Sequence, residues 1–160
     1  MDTRSLYDTD VYAWAMQQAS ALRGEAARGG SNAVDWANVA EEIESLGNEQ
    51  AHAIESHLAN ILEHLLKLGH SPANDPRNHW ASEVVHQRAR LERRLKKNPA
   101  LRSRLPDVVD GAYQDGRRLA AFGLARDGLS LADLPETCPY TLDQIRAFDW
   151  FPSNPHFPVD

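Results

Sequence analysis

The stretch AEEIESLGNEQAHAIESHLANILEHLLKLG, Ala40 to Gly69, decides the fold of this chain. Its apolar residues Ile43, Leu46, Ile54, Leu58, Ile61, Leu62, Leu65 and Leu68 recur at the spacing that places side chains on one face of an α-helix. Just upstream, Asp35 can cap a helix whose stripe takes in Trp36, Val39 and Ala40. Gly47-Asn48 interrupts the pattern as a left-handed cap would, yet the stripe resumes in nearly the same phase. A break and a kink at Gly47 both fit. The stretch also poses a question of charge, because Glu41, Glu42 and Glu44 crowd around Ile43 and call for partners.

The rest of the chain carries the same helical grammar. Asp8-Thr9-Asp10 offers N-caps to a segment with apolar positions Val11, Trp14, Ala15 and Leu22, and Gly29-Gly30 ends it. A loop from His70 to Pro76 leads to Asn78, which can cap a helix running to about Lys97 on Trp80, Val84, Leu91 and Leu95. Asn98-Pro99 closes that helix, and another begins near Pro106. There Ala112, Gly116 and Ala120 recur at four-residue spacing. Glycine inside a helix costs about 1 kcal/mol against alanine, so Gly116 implies a closely packed neighbour. Beyond Gly128 the chain turns irregular, with Thr141 capping a short helix before FDWFPSNPHFP. No stretch alternates as a strand. The expectation is an all-α fold, a single-domain bundle of about five helices over residues 1–152, with an extended tail at 153–160. Its core should hold Trp36, Ile43, Leu58, Ile61, Leu65, Leu91 and Leu95.

Composition bounds the function classes. A chain of 160 residues with 42% hydrophobic and 25% charged residues fits one ordinary globular domain. No apolar run approaches the roughly 20 residues of a bilayer span, and the acidic start MDTRSLYDTD has no signal-like apolar region. Cys138 is the single cysteine, which excludes an internal disulfide and a thiolate-clustered metal site and favours a cytoplasmic setting. The formal charge of −6 argues against a coat for nucleic acid.

Several spaced motifs together resemble one family. They are DW at 35–36, AEEIESLG at 40–47, HLLK at 64–67, Trp80, QR at 87–88, NPAL at 98–101 and CPYT at 138–141. The chain is similar, from about Tyr7 to Pro152, to the bacterial family catalogued as domain of unknown function number twenty-nine. The resemblance implies a small α-helical domain and supplies no mechanism.

Two Glu-x-x-His spacings, Glu49…His52 and Glu83…His86, imitate the ligand pattern of di-iron bundles. At about 100° per residue, however, both pairs point away from their helices' apolar stripes, whereas bundle ligands must face the core. No metal and no cofactor is expected. His57 and His64 lie two turns apart on the flank of the stripe, where a boundary histidine satisfied by hydrogen bonds is the simplest role.

Arg88 is the sharpest anomaly, because it falls beside Leu91 and Leu95 on the buried face, with Gln87 across the same stripe. A buried arginine demands a partner. Glu44, ahead of Glu42, is the expected carboxylate, and Glu42, Glu44, His64 and Arg88 form the candidate polar cluster, either a structural ion pair or a ligand cleft. The run from Arg88 to Arg104 holds eight of the seventeen basic residues, without interleaved aromatics or a helix-turn-helix pattern, and reads as a solvated face rather than a nucleic-acid surface. Glycine-rich phosphate loops, G-x-S-x-G and H-E-x-x-H are missing from the sequence. The favoured function is a non-catalytic interaction or regulatory module with a macromolecular partner or a second copy, and without a membrane. The alternative is a helical-bundle enzyme or a metal- or ligand-binding protein built on the polar cluster.

Overall fold

A computed structural model describes residues 3–159. These residues form six α-helices: α1 (Thr3–Thr9), α2 (Val11–Ala27), α3 (Trp36–His70), α4 (Arg77–Lys97), α5 (Leu105–Leu124) and α6 (Leu142–Arg146). Three 3-10 turns, Pro99–Arg104, Ala125–Asp127 and Leu131–Asp133, link them. Among the described residues there is no strand, only an isolated bridge between Asn154 and Phe157. The fold is all-α. The helix beyond the expected five is α1, divided from α2 by Asp10, whose carboxylate accepts from the Ala13 amide at 2.8 Å as an N-cap.

The chain forms two compact units, residues 1–54 with 93–104, and residues 55–92 with 105–160. In the first, small residues set the packing. Ala15 and Ala19 of α2 and Ala40 and Gly47 of α3 are buried. A Cβ on Gly47 would lie 3.1 Å from that of Ala15 and 2.5 Å from Met16 Cε. Gly47 therefore admits α2 to close approach, and α3 runs through it unbroken. Asn98, the first residue of NPAL, is fully buried and accepts from the Tyr12 amide at 3.0 Å. Its side-chain amide donates to Arg94 O, and the Gln50 side chain accepts from Arg94 at 2.8 Å.

The second unit holds the larger side chains. Leu58, Ile61, Leu62, Leu65 and Leu66 of α3 are fully buried, as are Val84 and Leu91 of α4. The α5 stripe supplies Ala112, Gly116, Ala120 and Leu124 to the buried set. A Cβ on Gly116 would sit 2.7 Å from Ala59 O and 3.0 Å from Glu63 N, so α5 lies directly on the α3 backbone there. That is the close packing its four-residue spacing required. One side-chain amide and one guanidinium finish the end of α3: Asn154 donates to Leu68 O and Ser71 O, both at 2.8 Å, and Arg77 donates to Leu68 O.

Five of the seven expected core residues, Leu58, Ile61, Leu65, Leu91 and Leu95, are fully buried. Trp36 and Ile43 are only half-buried, and their stripe companions Val39 and Leu46 are 40% and 41% exposed. The cause is the rotation of α3 imposed by its small residues. On a helical wheel Val39 and Leu46 stand about a quarter turn from the Ala40–Gly47 face that receives α2.

Candidate functional site

The expected polar cluster resolves into separate local arrangements. Glu44 forms an ion pair with Arg23 of α2, on the half-exposed surface of the first unit. Glu41 and Glu42 are exposed. Arg88 is only 1% exposed, yet its partners are main-chain carbonyls rather than a carboxylate. Its Nε donates to Ile145 O at 2.8 Å and its Nη2 to Gln144 O at 2.9 Å, with Nη1 3.5 Å from Phe148 O. The Phe151 ring lies 5.3 Å from the guanidinium. The proposed Glu44–Arg88 pair is thus replaced at both ends.

The local reason lies in α6. A five-residue helix leaves its last carbonyls without intrahelical donors, and buried acceptors must find partners. Thr141 supplies the N-terminal cap through a capping box, and Arg88 supplies the C-terminal donors. Positive charge at a helix C-terminus is also favoured by the aligned peptide dipoles. Burial lowers the Arg88 pKa to about 10, opposed by nearby Asp149, so the group stays charged at neutral pH.

The histidines are similarly engaged. His64 Nδ1 hydrogen-bonds to Asn60 O at 2.8 Å, the role expected of a boundary histidine. His57 Nδ1 meets Gln87 Oε1 at 2.8 Å, which explains the polar Gln87 beside Arg88. Of the two Glu-x-x-His pairs, Glu49, His52 and His86 are exposed and Glu83 is half-buried. Among the described residues no three His, Cys, Asp or Glu side chains are grouped to hold a metal ion. In the basic run, Arg90, Arg93, Lys96, Lys97, Arg102 and Arg104 are exposed, while Arg94 turns to Gln50. Cys138 is half-buried with its thiol directed to Tyr140 O at 3.4 Å, and burial raises its pKa.

Two features escaped the sequence reading. The first is a cavity of about 580 Å³ in the second unit, lined by Lys67, Asp75, Trp80, Gly123, Arg126 and Asp127 among others. Lys67 is paired with Glu63 and lies 6.0 Å from the centre of the Trp80 ring. Asp127 accepts from Ser71 Oγ at 2.6 Å. The four-residue Glu63–Lys67 spacing was a readable signal. Arg126 and Asp127 sit in a 3-10 turn that no periodic pattern announces.

The second is the outer face of α3 in the first unit. Val39 and Leu46 stand exposed one beyond the other, with Ile43 half-buried between them. Along one flank run Asp35, Glu42 and Glu49, all exposed and seven residues apart. Asp35 caps the helix through the Asn38 amide. Glu42 and Glu49 form no ion pair among the described residues. The signal is present as a heptad phase, Trp36, Val39, Ile43, Leu46, of which helical periodicity assigns Trp36 and Ile43 to the core.

An all-helical fold, with the buried side chains of Arg88 and Asn154 turned to its own main chain, is the class that fold and site define. The chain belongs to the family described as domain of unknown function DUF29, whose model matches residues 6–151. It is also similar to a crystal structure of an alpha-helical protein of unknown function from Rhodospirillum rubrum ATCC 11170. That likeness has a TM-score of 0.73 at 24% sequence identity and covers 90% of each chain, and it shows the fold alone. No curated protein matches the chain. Among the described residues no helix is long and apolar enough to cross a membrane.

Proposed function

We propose that this chain is a non-catalytic interaction module of the bacterial cytoplasm, and that α3 presents its docking face. The observation that carries this reading is the exposure of Val39 and Leu46 at 40% and 41% beside a continuous acidic row. Apolar side chains rimmed by charge characterise binding surfaces. The enzyme alternative loses support from its own residues, since Arg88, Glu44 and His64 each hold an internal partner. The free, half-buried Cys138 is consistent with a reducing compartment.

Size-exclusion chromatography of clarified extract from the native host, at physiological salt, tests the proposal. The tagged chain of 17.9 kDa should elute within a larger species, and Leu46→Asp should return it to its own size. Elution of the wild type at its own size, or a larger species untouched by Leu46→Asp, contradicts the reading.

A further inference from the structure

We infer that the α3 face receives a basic amphipathic helix from a different protein; this deepens, and rests on, the interaction-module reading. The face has the anatomy of half a coiled-coil seam. Val39, Ile43 and Leu46 alternate at four- and three-residue steps, the spacing that accepts knobs from a facing helix. Asp35, Glu42 and Glu49 occupy the flanking position that lies closest to a partner's own flank, once per heptad. Three exposed carboxylates in register, none of them in an ion pair among the described residues, select a partner carrying Lys or Arg at matching steps.

Charge also decides against a second copy of this chain. Laid antiparallel across a two-fold axis, α3 would bring its acidic row onto the same row of its copy, placing like charges together. Laid parallel, the row would face the opposite flank of the seam. That flank is Ala40, Gly47 and Ile54, all buried within the chain. The basic helix α4 offers no apolar companion to its exposed Arg93, Lys96 and Lys97, because Leu91 and Leu95 are fully buried. The complement must come from elsewhere.

The far limit of the seam is set by Gln50, the next heptad position, which turns to Arg94 and Asn98. An occupant therefore needs about four turns, so the probe is a lactam-stapled helix of about 18 residues. It carries Leu and Ile on one stripe and Lys and Arg along its flanks. A control peptide keeps the stripe and replaces the basic residues with Glu. Fluorescence anisotropy against the full-length chain should show the basic peptide binding at least about tenfold more tightly than the acidic one, with the difference shrinking as salt is raised. Glu42→Lys with Glu49→Lys should reverse the preference, while circular dichroism stays unchanged because both positions are exposed. Equal binding of the two peptides, both lost in Leu46→Asp, overturns the basic partner and leaves the docking face standing. Binding of neither overturns the inference, and the host-extract elution then decides the interaction reading independently. Sedimentation equilibrium showing a dimer that Leu46→Asp dissolves assigns the face to a second copy and overturns the inference as well.

Discussion

Arg88→Ala is expected to destabilise the protein by about 3–5 kcal/mol, read from denaturant unfolding, because it strands one buried and one part-buried carbonyl that a charged donor had satisfied. The two short bonds, to Ile145 O and Gln144 O, come from different nitrogens of one rigid guanidinium. Arg88→Lys should recover only part of the loss, since a single ammonium cannot reproduce that fork. Glu44→Ala should cost less than about 1 kcal/mol, as befits a half-exposed pair with Arg23. The Arg88→Ala and Glu44→Ala effects should add within about 0.5 kcal/mol, because the residues share no partner. A coupling well above that value would restore the ion pair that the carbonyl contacts replace.

Leu65→Ala carries the second large effect. Leu65 is 0% exposed in the larger core, and truncation there should cost about 2–5 kcal/mol through lost transfer energy and an unfilled cavity. The same truncation at Leu46, which is 41% exposed, should cost about 1 kcal/mol or less. Both leucines lie on one helix and in one apolar pattern, so the contrast isolates burial from periodicity. Comparable losses at the two sites would mean that the outer face of α3 is packed rather than presented.

That contrast also marks what the amino-acid pattern could reveal. Helical spacing located α3, α4 and α5, and Asp10, Asp35 and Thr141 cap helices as their residue types suggested. Gly116 announced its close packing because glycine is costly in a helix interior. Periodicity fails where burial is decided by a neighbour. From Trp36 to Leu46 the inward face is drawn by Ala40 and Gly47, small residues that let α2 approach, while larger apolar side chains are left at the edge. Hydrophobicity alone assigns those roles in reverse.

The partner of Arg88 was hidden for a different reason. Its demand for a hydrogen-bonding partner was legible, but carbonyls at the end of a short helix carry no side-chain signature. Any residue at positions 144, 145 or 148 offers the same acceptor. Charge patterning pointed to the acidic helix instead, where Glu44 found Arg23 and Glu42 remained exposed. The excess acid beside Ile43 and Leu46 thus belongs to an outward-facing surface.

The most direct measurement is photo-crosslinking in the native host, with Leu46→p-benzoylphenylalanine in the full-length chain and Arg118→p-benzoylphenylalanine as a control on the exposed side of α5. A discrete adduct with a second protein is expected at position 46, weakened by Glu42→Lys with Glu49→Lys and not formed at position 118. Equal labelling at both positions, or no adduct at 46, would contradict it.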